Sequence, residues 1–183
     1  MTAKNPPSFK RNEKIVQQNE EIRAVFVDRD GTLNFDRPGY VKSPDELEMI
    51  PGACEQIARM AEGYPLILVI TNQSVVGRGI ISEATLKEIN EKLELEFYRR
   101  TGRKIDDIFY CPHKPDDNCE CRKPKTKLIF DAARLYNLDL KGCVLVGDKR
   151  TDEEAAINAG CSYIGVGTNT TVITTRRRSG ISA

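Results

Sequence analysis

The sequence of 183 residues contains a single histidine, His113. A Ser-His-Asp triad, a histidine phosphatase and an HExxH protease all need histidine for their chemistry, and the last two need two of them. No run approaches the roughly 18 apolar residues of a membrane helix. The first residues also have no apolar segment of the signal-peptide kind. We therefore expect a cytoplasmic protein that does not interact with membranes, and no histidine-based hydrolysis if His113 has another role.

An excess of positive charge is also missing, because 28 basic and 27 acidic residues give a net charge of +1. This balance argues against a nucleic-acid-binding chain, which would need a basic stripe. The polar residues 1–22 predict a flexible N-terminal arm, and residues 169–183, which include an Arg-Arg-Arg run, predict a flexible basic C-terminal tail. Residues 23–168 are expected to form one domain, and the lack of a long exposed apolar face favours a monomer.

Apolar runs alternate with helix-like spacing through the middle of the chain. Strands are predicted at 24–28, 66–71, 108–110, 143–147 and 163–166, and helices at 51–62, 82–100, 128–136 and 153–159. In the longest helix, Ser82 is the expected N-cap. Strands that are apolar on both faces and separated by helices indicate an α/β fold with a parallel sheet and right-handed crossovers.

Unusual polar residues fall where these strands end. Asp28, Thr71, Cys111 and Asp148 close or follow four different strands. In a parallel sheet these positions share the carboxyl edge, where ligands bind. Gly31 permits a turn that lets Asp28 and Asp30 face one point, and neighbouring carboxylates of this kind favour a hard cation such as Mg²⁺. Asp152 either supports this site or caps a helix.

A second cluster combines three cysteines with the single histidine. Cys111, His113, Cys119 and Cys121 follow the pattern C-x-H-x5-C-x-C, which supplies a complete tetrahedral ligand set for structural Zn²⁺. Free thiols or a disulfide are the alternatives. Since Arg122-Lys123 directly follows Cys121, we expect zinc to order a loop that delivers two cations to the carboxylate site.

Together these motifs resemble the haloacid dehalogenase (HAD) superfamily across about residues 24–168. The matching residues are DxDGT after the first strand, Thr71-Asn72 after the second, Arg122-Lys123-Pro124, and GDxxxD from Gly147. The resemblance implies a Rossmann-like three-layer fold with a central parallel sheet. The short segment between residues 77 and 82 leaves no room for a large cap domain.

The resemblance also implies a mechanism. Asp28 would attack phosphorus to form an aspartyl-phosphate, and Asp30 would act as acid and then as base. Magnesium would be held by Asp28, the Asp30 carbonyl and Asp148, with the Lys149 carbonyl nearby. Thr71 and Lys123 would stabilise the phosphoryl group.

Three motifs narrow the resemblance to the group that holds D,D-heptose 1,7-bisphosphate and histidinol-phosphate phosphatases. They are the zinc loop (residues 111–121), Arg122-Lys123-Pro124 and Thr71-Asn72-Gln73-Ser74. The segment Gly39-Tyr40-Val41 favours the heptose reaction, with removal of the 7-phosphate during nucleotide-activated heptose and lipopolysaccharide biosynthesis. The substrate contacts that the resemblance implies are Asp36, Gly39, Tyr40, Thr71, Asn72, Gln73, Ser74, Arg122 and Lys123. Histidinol-phosphate hydrolysis, a nucleic-acid 3′-phosphatase or end-binding module, and a non-catalytic zinc-stabilised binding protein are the alternatives.

Overall fold

The computed structural model describes residues 22–177. The strands are β1 (Ala24–Val27), β2 (Leu66–Asn72), β3 (Asp107–Cys111), β4 (Val144–Gly147), β5 (Ser162–Val166) and β6 (Ile173–Arg177). The helices are α1 (Ala53–Met60), α2 (Ser74–Gly77), α3 (Glu83–Thr101), α4 (Lys127–Tyr136) and α5 (Arg150–Ala159). All five predicted strands and all four predicted helices are present, with shifts of a few residues at their ends.

The six strands form one sheet in the order β3-β2-β1-β4-β5-β6. The first five strands are parallel, and β6 pairs antiparallel with β5. The chain therefore moves outward from β1 in one direction and then crosses back to continue in the other. This reversal places β1 between β2 and β4, and it opens a crevice at their carboxyl ends.

Helices cover both faces of the sheet, which produces the expected three layers. On β1, Val25 and Val27 pack into a core with α1 and α3, whereas Ala24 and Phe26 pack into a second core with α4 and α5. All four side chains are fully buried. Successive strand residues point to opposite faces, so a strand covered on both sides must be apolar throughout.

The longest helix, α3, begins as the sequence predicts. The Ser82 hydroxyl accepts a hydrogen bond from the Thr85 amide at 3.0 Å, and Gly102 ends the helix in a left-handed conformation. Leu86, Ile89, Leu93 and Phe97 are all fully buried along one face. None of the helices between residues 22 and 177 combines the length and apolar character that crossing a bilayer would require.

The structure corrects one boundary near the C-terminus. The sequence placed residues 169–183 in a flexible tail, but Ile173–Arg177 forms β6 at the edge of the sheet. This strand consists of one isoleucine, two threonines and two arginines and is only partly buried, so it lacks the apolar pattern of a core strand. The predictions for residues 1–21 and 178–183 lie outside the described residues.

Candidate active site and metal centre

The carboxyl edge of the sheet gathers three aspartates. Asp28 follows β1, Asp148 follows β4, and Asp152 lies in the first turn of α5. Carboxylate oxygens of all three lie within 4.8 Å of one another. Like charges at this separation repel strongly unless cations lie among them, so the arrangement requires partners of opposite charge.

Lys123 is the first of these partners. Its ammonium lies 2.6 Å from Asp28 Oδ1 and 2.7 Å from Asp152 Oδ1, and it donates to the carbonyl of Ile70 at 2.6 Å. The lysine is almost fully buried. Burial by itself would lower the pKa of Lys123, but the attraction of Asp28 and Asp152 outweighs it and holds the pKa above its usual value. The two carboxylates therefore favour the charged form of Lys123 beside Asp28.

Asp28 has an unusual acidity for a carboxyl group. Its burial, reinforced by repulsion from Asp152 and Asp148, raises the pKa from 3.8 to about 7 despite the nearby Lys123 and Lys149. A second cation at this point would favour the ionised form. The carboxylate is thus poised so that its charge state near neutral pH depends on what binds next to it.

The pKa of Asp30 is shifted in the opposite direction from that of Asp28. Its carboxylate accepts hydrogen bonds from Asn34 Nδ2 at 2.8 Å and from Gln73 Nε2 at 2.6 Å, and it forms an ion pair with Arg29. Burial works to raise the pKa of Asp30, but Arg29 and the hydrogen bonds outweigh it, so the pKa lies below its usual value. Two aspartates that are two residues apart therefore differ in acidity, which is the condition for giving them different chemical roles.

The turn that follows these two aspartates depends on Gly31. This residue has a φ of +93°, and a Cβ atom there would lie 2.4 Å from Asp148 Oδ2. Only glycine allows the chain to pass so close to the carboxylate. Asp148 is oriented from the other side by the Thr168 hydroxyl, which donates to it at 2.8 Å.

The donor set fits magnesium. The carboxylates of Asp28 and Asp148 and the carbonyl of Asp30 are hard oxygen ligands of the type that Mg²⁺ prefers. The Asp30 carbonyl already interacts with a cation, since Lys149 Nζ donates to it at 3.2 Å. The Lys149 carbonyl accepts from the amides of Asp152 and Glu153 in the first turn of α5. Its place in a magnesium site stays a prediction.

Asp152 serves both of the roles that the sequence left open. Its Oδ2 atom accepts from the Lys149 amide at 3.0 Å, which caps α5, while its Oδ1 atom pairs with Lys123. The side chain is fully buried. A Cβ atom on Gly147 would lie 2.5 Å from Asp152 Oδ2, so the end of β4 has to be glycine to admit it.

The cysteine and histidine cluster also comes together. The ligand atoms of Cys111, His113, Cys119 and Cys121 all lie within 4.8 Å of one another, and Cys111 Sγ is 3.1 Å from Cys121 Sγ and 3.5 Å from Cys119 Sγ. All six cysteines of the chain are free thiols, which is against the disulfide alternative. Three sulfurs and one imidazole nitrogen match the donor set and compactness of a closed tetrahedral zinc site.

A cavity of about 670 Å³ opens beside Asp30 and Lys123 and extends to the zinc loop, and Asp28 and Asp148 are not among the residues that line it. Seven of the predicted substrate residues line it, namely Asp36, Tyr40, Asn72, Gln73, Ser74, Arg122 and Lys123. Gly39 and Thr71 do not line it: Gly39 is exposed, and Thr71 is buried with its hydroxyl accepting from Gln73 Nε2 at 2.9 Å. Tyr40 has a φ of 62°, and such strain in a bulky residue is typical of functional sites.

Comparison with known proteins identifies the family to which this arrangement of residues belongs. Residues 120–180 match the HAD-hydrolase-like family. A D-glycero-beta-D-manno-heptose-1,7-bisphosphate 7-phosphatase from Bordetella bronchiseptica is 42% identical over 141 residues, which cover 77% of this chain and 78% of that protein. The chain belongs to the HAD phosphatases. It is a phosphoric monoester hydrolase.

Other relatives agree in sequence and in structure. A Pseudomonas aeruginosa protein of the same name is 39% identical over 140 residues, covering 76% of this chain and 78% of the relative. The crystal structure of the B. bronchiseptica D,D-heptose 1,7-bisphosphate phosphatase, with magnesium and phosphate, superimposes with a TM-score of 0.71 at 41% identity. The match covers 78% of this chain and 79% of that one.

Sequence reasoning missed several residues around the Asp30 carboxylate of this HAD phosphatase. Arg29 is 1% exposed and donates to Asn90 Oδ1 on α3 at 3.1 Å and to Gln73 Oε1 at 2.8 Å. Asn34 is also buried and donates to Asp30. One signal in the sequence was available: Arg29 lies between the two aspartates of the DRDGT motif, directly after an apolar strand. An arginine in this position is expected to pair with a neighbouring carboxylate and not to extend into solvent.

The short helix α2 was also missed, since four residues are too few for a periodic pattern. Asn72, at the end of β2, makes contacts with the Lys123 backbone that the sequence could not show. Its side chain accepts from the Lys123 amide at 3.0 Å and donates to the Lys123 carbonyl at 3.2 Å. Asn72 thereby holds the backbone of the residue whose ammonium meets Asp28.

Proposed function

We propose that this enzyme is a Mg²⁺-dependent phosphatase that removes the 7-phosphate of D-glycero-D-manno-heptose 1,7-bisphosphate through an aspartyl-phosphate on Asp28. The observation that carries the chemistry is the buried contact between Asp28 and Lys123, beside Asp148 and next to an open cavity that Lys123 lines. The substrate is supported by the relatives that bear this name. Such an activity belongs to heptose metabolism and to lipopolysaccharide biosynthesis.

The first step is attack of an Asp28 carboxylate oxygen on the phosphorus of the 7-phosphate. The bond from phosphorus to the sugar oxygen breaks, and a proton from Asp30 goes to that oxygen. Lys123, held in place by Asp152 and Asn72, offsets negative charge on the phosphoryl group. Bound magnesium would supply further charge compensation to the phosphoryl oxygens and keep Asp28 ionised.

The second step is hydrolysis of the aspartyl-phosphate. Asp30, now a carboxylate, takes a proton from the attacking water, and the bond between phosphorus and Asp28 breaks to release phosphate. Its low pKa favours the ionised form of Asp30, which is the form that accepts a proton, and the protonated form is needed only transiently. Arg29, Asn34 and Gln73 hold the Asp30 carboxylate through this cycle.

The zinc loop lies beside this site and positions two of its cations. Arg122 Nη1 donates to the His113 carbonyl at 3.3 Å, so the segment that carries Arg122 and Lys123 is tied to a zinc ligand. We infer that zinc is structural and that it orders these two cations. The free cysteines are what a reducing compartment maintains, which supports a cytoplasmic location, and we further infer that the enzyme acts as a monomer.

The test is phosphate release in the presence of Mg²⁺ from heptose 1,7-bisphosphate and, separately, from histidinol phosphate. We expect a large kcat/KM advantage for the bisphosphate. Asp28→Asn should lower kcat by about 10⁴-fold or more, the order of magnitude for removal of a catalytic nucleophile. Asp45→Asn, at an exposed aspartate outside the cavity lining, is the matched control and should retain activity.

Each part of the proposal can fail separately. Faster hydrolysis of histidinol phosphate would overturn the substrate and leave the mechanism intact. Undiminished turnover by folded Asp28→Asn would overturn the nucleophile. Mass spectrometry of Asp30→Asn during turnover should show an 80 Da adduct on the peptide that contains Asp28, since phosphorylation adds about that mass. An adduct elsewhere would contradict the aspartyl-phosphate assignment.

A further inference from the structure

The connection between β5 and β6 reaches the active site. Its residue Asn169 has a φ of 59°, a left-handed conformation that asparagine tolerates better than most residues. The Asn169 amide donates to the Gly31 carbonyl at 2.9 Å, in the turn that follows Asp30. The preceding residue, Thr168, donates to Asp148. Asn169 is thus fixed at the edge of the site, although the sequence by itself assigned it to the C-terminal tail.

The side chain of Asn169 contacts residues 36–40, which we call the substrate loop. Its amide oxygen accepts a hydrogen bond from the Asp36 backbone amide at 2.6 Å, and its amide nitrogen donates to the Asp36 carbonyl at 3.3 Å. One side chain therefore binds both polar backbone groups of a residue that is 133 positions away in sequence. Because the oxygen and nitrogen belong to one planar amide, the two bonds fix the orientation of Asp36 as well as its place.

The ion pairs of the substrate loop are weaker anchors. Arg37 pairs with Glu48 at 2.7 Å and Asp36 pairs with Lys149 at 2.9 Å, but each of these four side chains is at least 38% exposed. Exposed ion pairs contribute little to stability. They also join the ends of flexible side chains, whereas the Asn169 side chain binds the loop backbone directly. Asn169 is therefore the stronger constraint on the position of Asp36.

The position of Asp36 matters because the substrate loop forms part of the cavity wall. Asp36, Arg37 and Tyr40 line the cavity, whereas Asn169 does not. The Tyr40 amide donates to the Arg37 carbonyl at 3.1 Å, which closes a tight turn within the loop. A displacement of Asp36 would therefore be passed on to Tyr40. Asn169 can act on a bound substrate only through this loop.

We propose that Asn169 is a positioning residue that holds the substrate loop at the cavity and thereby sets the affinity for the sugar part of the substrate. This inference rests on the proposed function, because it takes Asp36 and Tyr40 as contacts of the sugar. Contacts with the sugar, away from the reacting phosphorus, are the same in the ground state and the transition state. Their loss therefore raises KM and leaves kcat nearly unchanged.

The variant that tests this inference is Asn169→Gly. Glycine adopts a positive φ without strain and keeps the backbone amide that donates to Gly31, so the substitution removes the two hydrogen bonds to Asp36 and preserves the turn. We expect the KM for heptose 1,7-bisphosphate to rise by roughly 10- to 30-fold, the range for loss of two hydrogen bonds, with little change in kcat. Phosphate-release kinetics measure both constants.

Two further measurements report on groups that should not change. Orthovanadate, a phosphate-like anion without a sugar, should inhibit Asn169→Gly and the wild-type enzyme with the same inhibition constant. The dissociation constant for Mg²⁺ should also be unchanged, because Thr168 still donates to Asp148. Asn137→Gly is the matched control, since Asn137 is exposed, has a φ of 51° and lies outside the cavity lining. It should keep the wild-type KM.

The possible results separate this inference from the proposed function. An unchanged KM for Asn169→Gly would overturn the inference. A lower kcat without a change in KM, or weaker binding of orthovanadate and Mg²⁺, would also overturn it, because these results describe damage to the phosphoryl site. Each of them leaves the proposed function in place when the wild-type enzyme hydrolyses the bisphosphate. If the wild-type enzyme does not, the proposed function fails and this inference fails with it.

Discussion

At the residue scale, the acidity of Asp28 connects burial to metal binding. The raised pKa of about 7 means that the carboxyl of the metal-free enzyme takes up a proton as the pH falls below 7. A metal ligand has to be deprotonated, so protons and Mg²⁺ compete for this group. Lys123 reduces the competition but does not remove it, because burial is the larger influence on Asp28.

We therefore predict that magnesium binding weakens at acidic pH. Above pH 7 the affinity should change little, and below pH 7 the dissociation constant should rise by up to about tenfold per pH unit, as for displacement of one proton. Isothermal titration of the metal-free enzyme with Mg²⁺ at pH 6, 7 and 8 measures this. Equal dissociation constants at pH 6 and pH 8 would contradict the assignment of Asp28 as a ligand that must lose a proton.

Gly31, Gly77 and Gly147 show how much the site depends on close approach of backbone. Each allows the chain to pass a functional group, namely Asp148, the Pro112 carbonyl and Asp152, at distances where a Cβ atom would clash. Gly31 also needs a positive φ, whereas the other two do not. Glycine is required at these positions because of residues that are close in space but distant in sequence. The local sequence therefore does not reveal the requirement.

At the element scale, the zinc loop is a long irregular segment that reaches the site. The short 3-10 turn at Pro115–Asp117 is its only regular element between β3 and α4, and the loop has few apolar side chains of its own. A closed metal site is an effective means of ordering such a segment. The same loop carries Arg122 and Lys123, so we expect its order to be coupled to catalysis.

Cys121→Ser should therefore lose zinc and activity together. We expect a fall in kcat/KM of roughly 10- to 100-fold, since small displacements of positioning groups have effects of this size. Metal analysis by mass spectrometry and phosphate-release kinetics with excess Mg²⁺ provide the two readouts. Cys161→Ala, at a buried cysteine outside the zinc set, should keep zinc and activity. Full activity in a zinc-free Cys121→Ser protein would refute the coupling.

At the scale of the whole molecule, the active site joins parts of the chain that are far apart in sequence. Asp28 and Lys123 are separated by 95 positions, and Thr32 and Asp148 by 116. The contributing segments follow β1, β2, β3 and β4 and meet only in the folded sheet. A ligand that bridges them binds the native state and not the unfolded chain, so it must stabilise the fold.

Magnesium together with inorganic phosphate should raise the melting temperature. At about 100 times the dissociation constant the gain is about 2.7 kcal/mol, which corresponds to about 5–10 °C for a chain of this length. Differential scanning fluorimetry with Mg²⁺ alone, phosphate alone and both together measures the effect. Asp148→Asn should lose most of the shift, and Asp45→Asn should keep it. A full shift in Asp148→Asn would argue against Asp148 as a ligand.

By itself, the sequence determined the layers of the fold, the carboxyl edge, the zinc set and the family. These features depend on local patterns, such as continuous apolar runs in β1 and β2, the DRDGT turn, and closely spaced thiols around His113. Only the tertiary structure decided the contacts of Arg29 with Asn90, the dual role of Asp152, and the strand β6. These depend on residues brought together by packing or on a solvated edge strand, so no local periodicity encodes them.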